Sequence, residues 1–108
     1  MGQDDGVREV SEAEFQAFVL KAPVPVLVDF HATWCGPCAW LDPVLEELAR
    51  GAEGRYRVVK VDTDAAPELS RRYRVGSVPT VVCFRDGREV DRSVGVEPHR
   101  LRAMLEEE

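Results

Sequence analysis

Two cysteines separated by two residues, in Trp34-Cys35-Gly36-Pro37-Cys38, are the part of this chain best suited to chemistry. Thiols at that spacing close a small disulfide ring or stand open as a dithiol. In a reducing cytosol, the default compartment here, such a pair is catalytic or metal-binding before it is structural. An apolar, strand-like run from Val24 to Phe30 enters the motif, and a helix-like run from Ala39 to Arg50 leaves it. Cys35 is therefore expected at the N-terminus of a helix. Unpaired backbone N–H groups and the positive end of the helix dipole there stabilise a thiolate. The first reading is dithiol–disulfide redox chemistry. Zinc is the competing reading, but a structural zinc site needs four ligands. Beyond the one CxxC pair the chain offers only the isolated Cys83, His31 and His99, so no metal is expected.

The elements around the motif follow from periodicity and turn signals. Val7 to Val10 reads as a short strand. Ser11-Glu12-Ala13-Glu14 has capping-box spacing, which predicts a helix from about Glu12 to Lys21 that buries Phe15, Phe18 and Val19. Pro23 and Pro25 end it, and Val26 to His31 reads as a buried strand. The helix that starts at the CxxC meets Pro43 in its interior, which should kink it, and Gly51 with Gly54 close it. Tyr56 to Val61 is a third strand, and a short helix is expected near Pro67 to Tyr73. Thr80 to Phe84 and Glu89 to Val94 flank an Asp-Gly pair, a hairpin signal that makes them antiparallel. Pro98 begins a last amphipathic helix. This βαβαβαββα order predicts an α/β fold, a mixed sheet with helices on both faces.

Composition bounds the partners. The 108 residues make one expected domain, 1–108, with a formal charge of −6. That acidity excludes nucleic acid and anionic membranes as natural partners. The charge is uneven: residues 1–54 carry 3 basic and 10 acidic side chains, and residues 55–108 carry 11 and 10. Separate solvated faces account for that asymmetry without a partner. Met1 to Ser11 is polar and acidic, unlike a signal peptide, so a cytoplasmic location is expected.

Val28-Asp29-Phe30, Trp34-Cys35-Gly36-Pro37-Cys38, Pro43, Lys60-Val61-Asp62, Val78-Pro79-Thr80, Gly87 and Gly95 fall in the order and spacing of the thioredoxin family. The chain resembles that family from about residue 8 to residue 106. The resemblance implies a thioredoxin fold, a central mixed five-stranded β-sheet flanked by four helices. It also implies a protein-disulfide reductant with a redox disulfide Cys35–Cys38. Cys35 would be the nucleophile, Cys38 the resolving thiol, and Gly36 and Pro37 the spacer between them. Asp29 interrupts an apolar strand, where an unpaired carboxylate is costly. It is either a carboxylate satisfied by backbone N–H groups or a proton acceptor for Cys38. The resemblance makes Lys60 its charge partner. A cis Val78-Pro79 bond beside the dithiol is implied too, with client peptides pairing along that edge. The implied docking surface is Trp34, Gly36, Pro37, Ser77, Val78, Pro79, Gly95 and Val96. No bound cofactor is expected. Reducing equivalents would come from a separate thioredoxin reductase, an NADPH-dependent flavoprotein, and pass to disulfide-containing client proteins, with this chain a monomer. The other readings are a thioredoxin-like binding or chaperone module and a disulfide oxidase or isomerase.

The chain departs from the family at two places. His31 stands where a bulky aromatic is usual. Strand alternation puts Leu27, Asp29 and His31 on one face, with His31 ~7 Å along the strand from Asp29. It either fills the aromatic's volume or titrates near the site. Ala39 replaces a common basic residue. Trp40 either packs on the helix or extends the docking surface. Cys83, in mid-strand, reads as a buried inert thiol.

Overall fold

A computed structural model describes residues 6–106. The capping box forms as its spacing predicts: Ser11 Oγ accepts from the Glu14 N–H at 3.2 Å, and the Glu14 carboxylate accepts from the Ser11 N–H at 3.0 Å. The helix it starts is α-helical only over α1, Glu12–Phe15, and continues as a π-helical stretch, Gln16–Leu20. The Lys21 N–H closes that stretch on the Gln16 carbonyl. Phe15 and Val19 are buried as expected, whereas Phe18 is only partly buried, with the Arg8 guanidinium 4.1 Å above its ring.

The strands are β1 (Arg8–Glu9), β2 (Val26–His31), β3 (Arg57–Asp62), β4 (Thr80–Arg85) and β5 (Arg88–Val94). They form one mixed sheet in the order β1-β3-β2-β4-β5. β3 lies parallel to both β1 and β2; β4 is antiparallel to β2 and β5. The remaining helices are α2 (Gly36–Arg50), α3 (Pro67–Arg72) and α4 (Pro98–Glu106). The expected strand 56–61 is displaced by one residue, and β1 is shorter than the expected 7–10; terminal pairings are the least specified by local pattern.

Strict alternation along β2 divides the core. Val26, Val28 and Phe30 pack with Phe15, Val19 and Leu69 on the α1 and α3 face. Leu27 packs with Leu41 and Leu45 of α2 and Leu101 and Met104 of α4 on the other. A strand's side-chain period of two puts three members of β2 on each face, and all six are buried because both faces are covered. Central position between β3 and β4 thus forces Asp29 and His31 under α2 together with Leu27.

The β4–β5 hairpin turns at Asp86-Gly87, with φ of 53° and 78°, between the paired Arg85 and Arg88. Two successive positive φ values match the right-handed twist of the flanking strands. A Cβ on Gly87 would also stand 3.0 Å from the Leu20 carbonyl oxygen. Gly87→Ala is therefore expected to lower unfolding free energy by about 1–2 kcal/mol, read from the urea midpoint at constant m-value. An unchanged midpoint would show that the turn and the Leu20 carbonyl give way freely.

Candidate active site

α2 follows β2 after four residues, and this short connection sets the dithiol just beyond the C-terminal end of the central strand. Cys35 is the N-cap, with extended backbone (φ −91°, ψ 110°), and its Sγ accepts from the Cys38 N–H at 3.2 Å. That sulfur takes the place of the Ser, Thr or Asp oxygen that usually satisfies an orphan donor at a helix start. Pro37 occupies the first turn, where its missing N–H leaves no bond unmade. Cys35 and Cys38 are joined as a disulfide, Cα atoms 5.4 Å apart. Both are buried, Cys35 at 8% exposed and Cys38 at 5%. Cys35 is the outer of the two by a small margin.

The expected docking residues divide into those that face solvent and those that support them. Trp34 is 70% exposed, which puts it on the rim and not in the core. Its indole N–H donates to Asp64 Oδ2 at 2.7 Å, fixing the ring against the β3–α3 connection. Gly36, Pro37 and Ser77 are exposed, and Val78, Gly95 and Val96 are partly buried. Val78 packs against Ala32, Cys35 and Cys38, and its carbonyl oxygen lies 3.7 Å from Cys35 Sγ. The Val78-Pro79 bond is cis, as the resemblance implies. Pro79 itself is buried, and its carbonyl accepts from the Gly95 N–H at 2.8 Å. It lies beneath the expected docking surface and joins the two loops that form it, leaving its neighbours Ser77 and Val78 nearer solvent. Val96 packs toward the cluster beneath α2 and α4. Trp40, on α2, is 69% exposed. Cys83 is fully buried in β4.

Asp29 is fully buried, and neither carboxyl oxygen has a hydrogen-bond partner. That removes the reading in which backbone N–H groups satisfy it. Burial pushes its pKa from 3.8 up to about 7; the charges of His31 and Lys60 oppose the rise, and those of Asp42 and Glu9 add to it. Lys60 lies opposite Asp29 in the β2–β3 register, but its Nζ donates to Asp42 Oδ1 at 2.9 Å. Lys60 is thus a charge partner of Asp29 through space, while its direct ion pair is with Asp42 of α2. His31 Nε2 lies 3.1 and 3.2 Å from the two Glu9 carboxylate oxygens. It holds a hydrogen-bonded place at the end of β2, so filling an aromatic's volume is not its whole part.

Three residues here escaped the sequence reading: Glu9, Asp42 and Asp64. Asp42 carried a signal, since it lies one helical turn beyond Cys38 and so shares its side of α2. Glu9 and Asp64 carried none, because their partners are 22 and 30 residues away in sequence.

Comparison with known proteins gives one family. The thioredoxin family model matches residues 6–107. Thioredoxin 1 of Nostoc sp. is 46% identical over 90 residues, covering 83% of this chain and 84% of that protein. The chloroplastic thioredoxin M4 of Arabidopsis thaliana is 41% identical over 92 residues, 85% of this chain and 48% of the relative. The bifunctional thioredoxin reductase/thioredoxin of Mycobacterium leprae is 48% identical over 89 residues, 82% of this chain and 19% of the relative. This chain therefore spans most of the Nostoc protein, about half of the chloroplastic one and a small part of the bifunctional one.

The raised pKa of Asp29 makes stability pH-dependent with a definite sign. Between about pH 4 and 7 the folded protein keeps a proton that the unfolded chain has lost. This group's contribution is therefore greatest below pH 4 and declines until about pH 7. Each pH unit in that window is worth about 1.4 kcal/mol, so the full decline is about 4 kcal/mol. Asp29→Asn carries no charge to bury. It should be more stable than wild type at pH 8 by up to that amount in urea denaturation, and equal to it below pH 4. A variant no more stable at pH 8 would contradict the buried, unpaired carboxyl.

Proposed function

We propose that this chain, which belongs to the thioredoxin family and is a dithiol–disulfide reductant of proteins, divides its reaction among Cys35, Cys38 and Asp29. The Cys35 thiolate attacks one sulfur of a client disulfide. A mixed disulfide forms, and the other client sulfur leaves as a thiolate. Asp29, as carboxylate, accepts the proton of the Cys38 thiol. The Cys38 thiolate then attacks Cys35 Sγ, closing the Cys35–Cys38 disulfide and expelling the second client thiolate. The client gains two electrons, and the pair loses two.

The observation that carries this assignment is the position of Cys35 as N-cap of α2, its sulfur receiving the Cys38 N–H. A donor already aimed at that sulfur stabilises negative charge on it without reorganisation. Asp29 suits the second role because a base is most effective when its pKa lies near the working pH, and burial brings it to about 7. The exposed Trp34, Gly36, Pro37 and Ser77, with the adjoining Val78, offer a small, weakly polar docking surface. Such surfaces accept many partners.

Recharging the disulfide takes two electrons and two protons. A separate thioredoxin reductase using NADPH and flavin supplies them in this reading, since the sequence carries no nucleotide-binding fingerprint. The Mycobacterium leprae relative, whose name joins a reductase to a thioredoxin, supports that partnership. The protein acts as a cytoplasmic monomer with no bound cofactor of its own, on disulfide-containing clients.

Cys38→Ser should accumulate a covalent adduct with a disulfide-containing client, visible on non-reducing gels and released by dithiothreitol. Cys35→Ser should form none and reduce nothing. Adduct formation through Cys38 in the Cys35→Ser protein would reverse the two roles. Asp29→Asn should slow multiple-turnover reduction at pH 7 at least about tenfold while leaving the fold unchanged. Wild-type turnover between pH 6 and 8 would remove Asp29 from the mechanism.

A further inference from the structure

Glu9 of β1 lies opposite Lys60 of β3, and Lys60 lies opposite Asp29 of β2, so three charged residues form one row across the sheet. His31, two residues beyond Asp29, shares its face. α2 covers this face with the dithiol and with Asp42. From β4 the residue opposite Asp29 is Val81, which carries no charge. Asp62, opposite His31, accepts from the Asp64 N–H. The charged groups acting on Asp29 are therefore Glu9, His31, Lys60 and Asp42.

The two cations near Asp29 differ in kind. Lys60 carries a fixed charge at neutral pH, and its partner Asp42 stands beside it under the same helix. His31 and Glu9 are arranged unequally: the imidazole side chain is 11% exposed and the carboxylate side chain 54%. Water screens the anion of this pair more than its cation. The protonated pair thus presents net positive potential inward, toward Asp29. A carboxylate accepts but cannot donate, so Glu9 requires a proton on His31 Nε2 and leaves Nδ1 as the atom that gains or loses one.

We propose that Glu9 and His31 act together as a positioning pair for Asp29. Glu9 fixes the tautomer of His31, and the imidazolium formed on protonation of Nδ1 holds the Asp29 carboxyl in its ionised, proton-accepting form. The proposal rests on the reading of Asp29 as the acceptor of the Cys38 proton, and it adds a control over when that acceptor is available. As pH falls, burial favours neutral Asp29 while the charging of His31 opposes it, which extends the range over which the second thiol can be activated. A positive charge on His31, like that on Lys60, favours the ionised Asp29 carboxyl. A surface residue on the first strand would in this way tune a base buried two strands away.

The test observes the carboxyl carbon of Asp29 by NMR across pH, which needs no turnover. Wild type should show two inflections, one at the midpoint at which the His31 ring itself titrates, as coupled sites do. His31→Gln should abolish that second inflection and raise the Asp29 midpoint by about 0.5 pH unit or more. Glu9→Gln is read in both backgrounds. In His31→Gln it only removes a like charge and should lower the Asp29 midpoint; with His31 present the shift should be more positive by at least about 0.3 unit. A single inflection in wild type, or equal Glu9→Gln shifts in both backgrounds, overturns the proposal. Should His31→Gln not fold, the wild-type curve alone decides. Failure of the Asp29 role would appear separately, as wild-type turnover by Asp29→Asn.

Discussion

Desolvation of one carboxyl group governs this site. Asp29 lies in the middle strand of the sheet, beneath the helix that carries the dithiol, with no hydrogen bond to either oxygen. A carboxylate so placed is unfavourable, and the surroundings offset part of that cost with charge at a distance and not with contact. Lys60 is held by Asp42 and His31 by Glu9. Neither side chain hydrogen-bonds the Asp29 carboxyl, whose two oxygens have no partner. The result is a group whose pKa burial brings to about 7, which suits it to the proton transfer proposed for it. A tight Asp29–Lys60 ion pair would have made a much weaker base.

The rest of the fold keeps that balance in place. Val26, Val28 and Phe30 anchor β2 to the α1 and α3 side, and Leu27 anchors it to α2 and α4. A slip of one residue in register would carry Asp29 into the opposite apolar cluster. Pro43 removes one backbone donor inside α2, yet the helix continues to Arg50 because Leu41 and Leu45 are fully buried on its sheet side. The loops bearing Val78 and Gly95 are joined through the Pro79 carbonyl, so the docking edge and the dithiol are held by the same packed elements. Rigid support of this kind is what lets small shifts in charge act on reactivity.

Much of this was legible in the sequence, for physical reasons that can be named. The CxxC motif, the capping box at Ser11 and the Asp-Gly turn are local devices whose geometry depends on a few adjacent residues. Alternation along Val26–His31 was enough to put Asp29 and His31 on one face. What the sequence could not show depended on register and helix placement. Lys60 was legible as the charge partner of Asp29, but its direct bond to Asp42 follows from how α2 crosses β3. The link between His31 and Glu9 required β1 to pair with β3 in one particular register. The π-helical stretch at Gln16–Leu20 has no local signature, and the burial of Pro79 follows from loops that meet only in the folded chain.

The central claim is that a buried carboxylate, and not bulk water, takes the proton of the resolving thiol. The most direct measurement is single-turnover release of a client from a preformed Cys35 mixed disulfide, followed across pH. The account predicts a rate that rises with ionisation of Asp29 and inflects near pH 7, where burial has set that group. A rate that climbs without inflection until the pH approaches an ordinary thiol pKa of about 8.5 would contradict it.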